Sequence, residues 1–169
     1  MAQCKYYHYY AEGETDVKMI STLKTEYQYV QPGKVDHFNV IQKELTANRT
    51  MGLKKGTTVV LVFDTDKIDN TSILNKNIEF LKKQKNIDKV ICITQILNLE
   101  DELIRSCNIT TIKELTGSKS NRDFKTDMIR QSNFKKKLED KNFDFKKFWN
   151  CSANNVFSYI KNDADLIRK

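Results

Sequence analysis

The sequence has little proline or glycine and no long apolar run, and each shortage excludes a class of protein. One proline and five glycines in 169 residues exclude collagen-like repeats and linker-dominated designs. No apolar run approaches the ~20 residues that span a bilayer, and no signal-peptide pattern is present, so we expect a cytoplasmic protein without a membrane partner. Four widely spaced cysteines without a CxxC pair exclude a zinc ribbon and argue against a disulfide framework.

The charge of the chain is concentrated in its last third. Residues 1–104 contain 14 Lys or Arg and 14 Asp or Glu, whereas residues 105–169 contain 15 and 8, so the whole net charge of +7 lies after residue 104. A basic region attached to a neutral body is typical of a protein with an anionic partner, most often nucleic acid. A solvated helical surface would give the same composition, and charge alone leaves both interpretations open.

Apolar periodicity predicts strands that alternate with helices. Strands are predicted at 5–11, 35–40, 57–63 and 89–96, and helices at 15–27, 40–50, 70–85 and 98–107, with amphipathic helices at 121–140 and 143–161. This pattern is typical of a doubly wound α/β fold with a mainly parallel four-stranded sheet flanked by helices. We therefore predict an α/β domain over 1–105 and a basic helical extension, packed on it, over 106–169.

Acidic residues follow three of the predicted strands. Glu12 follows the first strand, Asp64 and Asp66 follow the third, and Glu100 and Glu102 follow the fourth. The carboxyl ends of parallel strands meet at one edge of a sheet, so these side chains are expected to converge. Clustered carboxylates repel one another, and a hard cation such as Mg²⁺ relieves the repulsion. Asp16, in the first helical turn, is equally consistent with capping and with a metal role.

These motifs resemble the Toprim domain, the metal-binding module of topoisomerases, primases and OLD-type nucleases. The family pattern is an apolar strand ending in Glu-Gly-x-x-Asp and a later strand followed by Asp-x-Asp. The corresponding segments are YYHYYAEGETD and VVLVFDTD. The similarity covers roughly residues 5–105 and is greatest to small RloB-like proteins, whose third motif resembles ILNLEDEL at 96–103.

The resemblance implies a Toprim-like sheet and a role for each matching residue. Glu12 would act as general acid/base or as a metal ligand, and Asp64 and Asp66 would hold Mg²⁺, for which Mn²⁺ can substitute. Either Glu100 or Glu102 would complete a second metal position. RloB-like proteins resemble components of anti-phage systems, often with an ATPase partner, so the resemblance makes such a partner a candidate here.

A metal-dependent nuclease acting on RNA or DNA is the function that these features predict. A short chain leaves little room for the nucleotide and template sites of a primase, so hydrolysis is favoured over polymerisation. Basic side chains near the acidic cluster or in the loop at 117–123 are candidates for contact with nucleic acid: Lys67, Lys119, Arg122 and Lys125.

Two alternatives remain open from the sequence. The first is a non-catalytic module that binds nucleic acid or regulates a partner and keeps the acidic cluster for folding. The second is a phosphatase of the haloacid dehalogenase type, which also has Asp-x-Asp after an apolar strand. In that class the motif normally follows the first strand of the chain, whereas FDTDKID follows the third predicted strand.

Overall fold

The computed structural model describes residues 5–66 and 70–169. Its strands are β1 (Tyr6–Ala11), β2 (Gly33–His37), β3 (Thr57–Asp64) and β4 (Ile87–Gln95). Its α-helices are α1 (Glu14–Ser21), α2 (Ala47–Thr50), α3 (Ser72–Lys82), α4 (Leu99–Ser106), α5 (Lys113–Thr116), α6 (Phe124–Arg130) and α7 (Phe134–Asp140). A π-helical turn over Thr22–Glu26 extends α1, and a 3₁₀ turn covers Ala164–Ile167.

The four strands form one parallel sheet in the order β2-β1-β3-β4. This confirms the predicted α/β architecture with a four-stranded parallel sheet flanked by helices. The chain moves from β1 outward to β2 and then returns past β1 to β3. The connections that leave β1 and β3 therefore diverge, and a crevice opens between the carboxyl ends of these two central strands.

Both faces of the sheet are covered, which explains the continuous apolar runs in the central strands. Along β3, Val60 and Val62 face one core cluster, while Val59, Leu61 and Phe63 face the other. The first cluster contains apolar residues of α1, α4, α6 and α7, and the second contains those of α3 and of the segment 38–45. Side chains alternate between faces along a strand, so a strand buried on both sides must be apolar at every position.

The predicted amphipathic helix over 143–161 is wrong, since no α-helix occurs between 141 and 169. The backbone of Trp149 has a positive φ of 56°, a conformation that interrupts a helix. Phe148 and Trp149 belong to the first core cluster, whereas Phe157 and Ile160 belong to the second. The segment therefore crosses from one face of the sheet to the other, and a single helix could not bury these side chains on both faces.

Other helices are shorter than predicted. The region 121–140 forms two helices, α6 and α7, separated at 131–133, and the predicted helix at 40–50 is confined to Ala47–Thr50. Asn39 accepts hydrogen bonds from the backbone N–H groups of Ile41 and Gln42, which favours a turn after β2. None of the helices in the described ranges is both long and apolar enough to cross a bilayer.

The C-terminal segment also covers the edge strand β4. The backbone N–H of Asp163 donates to the carbonyl of Cys92 at 3.0 Å, and Asn162 Nδ2 bonds the carbonyl of Cys151 at 2.8 Å. The chain then continues to the face of the sheet that carries the first core cluster, where Val30 and Arg168 form an antiparallel bridge. Covering an edge strand satisfies its backbone and prevents pairing with other chains.

Candidate functional site

A small acidic cleft lies at the crevice between the carboxyl ends of β1 and β3. Its volume is about 190 Å³, and it is lined by Glu12, Gly13, Thr15, Asp16, Asn39, Asp64, Asp66, Leu99, Glu100 and Lys125. We call it the carboxylate cleft. Five of its lining residues are acidic and one is basic. The structure thus brings together the acids of the first motif, of the Asp-x-Asp motif and of the segment after β4.

Glu12 is held against the end of β3 by hydrogen bonds to its carboxylate. The backbone N–H of Asp64 donates to Glu12 Oε2 at 2.9 Å, and Asn39 Nδ2 donates to Oε1 at 3.2 Å. The side chain of Glu12 therefore points toward the Asp-x-Asp motif, although 52 residues separate it from Asp64. Asn39 supplies its donor because the chain turns immediately after β2.

Asp16 and Asp64 share a single donor, the side-chain amide of Gln95. Gln95 Nε2 lies 2.6 Å from Asp16 Oδ1 and 2.9 Å from Asp64 Oδ1. The two carboxylate oxygens are therefore no further apart than the sum of these distances, about 5.5 Å. Trp149 Nε1 donates to Gln95 Oε1 at 3.1 Å, which fixes the orientation of the amide. Gln95 itself is fully buried at the end of β4.

Burial and mutual repulsion make both aspartates weaker acids than usual. Burial, followed by the negative charges of Asp16, Glu12 and Asp66, raises the pKa of Asp64 to about 8. Burial is also the main cause that raises the pKa of Asp16 to about 6, with a smaller contribution from Glu12. Hydrogen bonds from Gln95 oppose both shifts but do not cancel them. The cleft therefore concentrates more negative charge than its own donors stabilise.

The turn after β3 is fixed by contacts with two other segments. Thr65 is buried; its Oγ1 donates to the carbonyl of Gln95 at 2.8 Å and accepts from the N–H of Leu97 at 3.0 Å. Asn155 Nδ2 donates to the carbonyl of Thr65 at 2.8 Å. Asp66, which is exposed, accepts from Asn98 Nδ2 at 3.1 Å. Asp64 and Asp66 thus face the cleft from a braced turn.

The two acids of the third motif occupy different environments. Glu100 lines the cleft and pairs with Lys125, whose Nζ lies 3.1 Å from Glu100 Oε1. Glu102 is fully buried and accepts from the N–H groups of Ile96 and Trp149, at 2.9 and 3.0 Å.

Arg105 completes the surroundings of Glu102, with 2.9 Å between its guanidinium and Glu102 Oε1. Glu102 therefore joins β4, α4 and the C-terminal segment, a structural position. Of the two acids, only Glu100 lines the carboxylate cleft.

The basic residues proposed from the sequence are dispersed. Lys125 is within the carboxylate cleft, whereas Lys119 lines a separate depression of about 390 Å³ between residues 117 and 130. Arg122 is exposed on the loop that precedes α6. Lys67 lies outside the described residues. Among these four, Lys125 is the residue that the structure brings next to the acids.

Sequence reasoning missed the neutral residues of the cleft. Gln95, Asn39 and Trp149 position the acids, but nothing in their spacing distinguishes them from ordinary polar or packing residues. One signal was available: Gln95 is a polar residue at the end of an otherwise apolar buried strand. A buried amide needs partners for both its N–H groups and its oxygen, so such a residue indicates a polar network.

The oxygen ligands of the cleft are chemically suited to a hard cation, although the carboxylates of the described residues do not converge on one point. Within 5–66 and 70–169, no three His, Cys, Asp or Glu side chains are grouped closely enough to hold a metal ion as they stand. The ligands on offer are carboxylate and amide oxygens, the type that Mg²⁺ prefers, and Mg²⁺ commonly uses only one or two carboxylates together with water. The acids of this cleft are therefore compatible with a partly hydrated Mg²⁺.

Comparison of the chain with protein-family models, with curated proteins and with solved structures finds no match.

Proposed function

We propose that this protein is a Mg²⁺-dependent nuclease that hydrolyses phosphodiester bonds of RNA or DNA at the carboxylate cleft, with Mn²⁺ as an effective substitute. The observation that carries the proposal is that the side-chain amide of Gln95 donates to both Asp16 and Asp64, while the backbone N–H of Asp64 donates to Glu12. Two distant parts of the chain contribute these carboxylates, Glu12 and Asp16 from the first motif and Asp64 from the end of β3, and they lie beside one another at the switch point of a parallel sheet. Burial raises the pKa of Asp64 to about 8, so a bound cation would relieve an existing electrostatic strain.

Residues of the cleft have distinct roles in this proposal. Asp64, Asp66 and Glu100 would hold the metal, which when bound polarises a phosphate oxygen and activates water. Glu12, oriented by the N–H of Asp64 and by Asn39, would accept a proton from the attacking water. Lys125 would exchange its contact with Glu100 for a contact with the phosphate, since its ammonium already lies at the cleft.

Substrate access and partners belong to the same proposal. The excess of basic residues after residue 104 would attract the phosphate backbone, and Lys119 and Arg122 would bind it outside the cleft. A cytoplasmic role in phage defence with an ATPase partner follows from the resemblance to RloB-like Toprim proteins. That extension depends on the resemblance alone, and assays of the isolated protein do not require it.

A non-catalytic module that binds nucleic acid is the second candidate, and one observation favours it. The acids of the cleft are engaged by internal donors: Gln95 bonds Asp16 and Asp64, and Asn39 and the N–H of Asp64 bond Glu12. Hydrogen bonds from internal donors to these acids are compatible with a structural role for the cluster. Under this alternative the protein would bind RNA or DNA tightly without cleaving it.

The decisive experiment compares the protein with an Asp64→Asn variant on end-labelled single-stranded and duplex RNA and DNA. We expect cleavage with Mg²⁺ or Mn²⁺, none with EDTA, and a loss of at least ~100-fold in the variant. Asp88→Asn is the matched control, because it removes an exposed carboxylate at the start of β4, outside the cleft.

Three results would contradict the nuclease assignment. Equal cleavage by the Asp64→Asn protein would indicate a contaminating nuclease. Binding of every substrate without cleavage in Mn²⁺ would favour the non-catalytic module. Release of phosphate from p-nitrophenyl phosphate by a protein that leaves nucleic acids intact would favour the phosphatase alternative.

A further inference from the structure

A second and larger cleft lies at the opposite end of the sheet, where β1, β2 and β3 begin. Its volume is about 670 Å³. It is lined by the starts of these strands and by the segment that precedes β3, and its lining residues include Lys5, Tyr6, His8, Lys34, Arg49 and Lys54. We call it the amino-edge cleft. It shares no lining residue with the carboxylate cleft, and its volume is in the range of small-molecule sites.

The charge of the amino-edge cleft is strongly positive. Four of its lining residues are cationic and one, Asp36, is anionic. Lys34 pairs with Asp36 at 3.1 Å. The other cations, Lys5, Arg49 and Lys54, form no ion pair with a carboxylate of the described ranges.

Two of these cations are held in place by aromatic rings instead of by acids. Lys54 Nζ lies 4.6 Å from the centre of the Tyr6 ring, and the Arg49 guanidinium lies 4.4 Å from the centre of the Phe38 ring. A ring orients a cation without neutralising it. The positive charge therefore remains available to an anion that enters the cleft.

The wall formed by residues 49–57 is rigid. Asn86 Nδ2 donates to the carbonyls of Thr50 and Leu53 at 2.8 and 2.9 Å. The Tyr10 hydroxyl donates to the carbonyl of Arg49 at 3.0 Å, and Thr57 Oγ1 donates to the carbonyl of Lys54 at 2.7 Å. Because these bonds fix the backbone before a ligand arrives, binding would require little ordering of the wall.

A buried polar atom also lines the cleft. His8 is only 5% exposed, and its Nε2 lies 3.1 Å from Asp36 Oδ2, so this contact holds the ring at the wall of the cleft. Burial lowers the pKa of His8, which favours the neutral ring as hydrogen-bond partner.

We propose that the amino-edge cleft binds a phosphate-bearing ligand of nucleotide size. Lys5, Arg49 and Lys54 would contact the phosphates, and the half-exposed ring of Tyr6 would offer apolar surface to a base or sugar. The ligand's source is either a free nucleotide or the 5′-phosphorylated end of a nucleic acid strand. Because the two clefts share no lining residue, this proposal does not depend on nuclease activity.

Binding is measured on the full chain with EDTA present, so that no metal bridges phosphate to the carboxylate cleft. The probes are ADP, a 5′-phosphorylated tetranucleotide and the same tetranucleotide with a 5′-hydroxyl. The test variant combines Arg49→Gln with Lys54→Gln. The control combines Lys82→Gln with Lys83→Gln, which removes the same charge from the exposed end of α3.

We expect the test variant to bind the preferred phosphorylated probe at least ~10-fold more weakly than the native protein, and the control to bind it within about twofold. Preference for ADP would identify a free nucleotide as the ligand, and preference for the phosphorylated over the hydroxyl tetranucleotide would identify a strand end. The ring resonances of His8, one of only two histidines, should shift on binding.

Two outcomes would overturn the proposal: no binding of any probe up to about 1 mM, or equal weakening in the test and control variants. If the test variant does not unfold cooperatively on heating, Lys5→Gln replaces it, because Lys5 is exposed and precedes β1. A loss of affinity in that variant supports the site, and unchanged affinity contradicts it.

Discussion

Replacing Asp64 by asparagine should stabilise the protein, and the gain should grow with pH. Burial and the charges of Asp16, Glu12 and Asp66 raise the pKa of Asp64 from its ordinary value of 3.8 to about 8. A carboxyl group whose pKa is raised by folding stabilises the native state below its unfolded pKa, and this stabilisation is lost as the pH rises through the folded pKa. The Asp64→Asn variant has no carboxylate to ionise there, and its amide oxygen can still accept the hydrogen bond from Gln95.

The size of the effect follows from the shift. A difference of about four pKa units, at about 1.4 kcal/mol per unit, sets a ceiling of about 6 kcal/mol above pH 8. Solvent reaches part of Asp64, so we expect roughly half of this, about 3 kcal/mol. Below about pH 4 the group is protonated in both states, and the variant should gain almost nothing.

Urea unfolding of the native and Asp64→Asn proteins between pH 4 and pH 9, with EDTA present, measures this difference directly. The control is Asp88→Asn, an exposed carboxylate at the start of β4 and outside the cleft, for which the free energy of unfolding should change by less than about 0.5 kcal/mol. A stability difference for Asp64→Asn that is independent of pH, or a loss of stability at pH 9, would refute the electrostatic reasoning.

Three further results are expected. Mg²⁺ should raise the unfolding midpoint of the native protein at pH 8, with a stabilisation that grows as the logarithm of the Mg²⁺ concentration above its dissociation constant, and should leave Asp64→Asn unaffected; an equal rise in both, measured by calorimetry, would place the metal elsewhere. Glu102→Gln should lower the free energy of unfolding by about 1–3 kcal/mol, because the amide N–H would face a backbone N–H of Ile96 or Trp149 and the charged partner of Arg105 is lost; a loss below about 0.5 kcal/mol in urea would contradict this. Lys125→Gln should reduce the salt dependence of nucleic acid binding by about one phosphate contact, and an unchanged slope in titrations at several salt concentrations would exclude that contact.

Much of the sheet could be predicted from the sequence because its central strands are buried on both faces. The run TTVVLVF contains apolar, β-branched residues whose alternate members face different cores, and only a strand in the middle of a parallel sheet requires this. The positions of the acids followed from the same argument, since the end of each such strand lies at one edge of the sheet.

The C-terminal region could not be predicted in the same way. Phe148, Trp149, Phe157 and Ile160 fit a helical period, but they divide between the two faces of the sheet. Apolar periodicity identifies the residues that become buried, but it does not identify the surface against which they are buried. Tertiary contacts therefore determined the backbone of this segment, including the positive φ of Trp149.

The choice between Glu100 and Glu102 also depended on tertiary contacts. The two residues share the first turn of α4, and no local rule distinguishes them. Glu102 is turned inward because Arg105 and the N–H of Trp149 meet it there, and Trp149 is 47 residues further along the chain. Gln95 was missed for the same reason, because its importance depends on the three partners that surround its amide.

The path of the C-terminal segment has a consequence for synthesis on the ribosome. Trp149 orients Gln95, and Asn155 braces the turn that contains Thr65. Neither residue has been made when β4 leaves the exit tunnel, so a nascent chain can contain every acid of the cleft without the contacts that arrange them. Folding of the cleft must therefore follow translation beyond Asn155. Any hydrolytic activity would first appear in chains that extend past this residue and would be withheld from chains terminated before it.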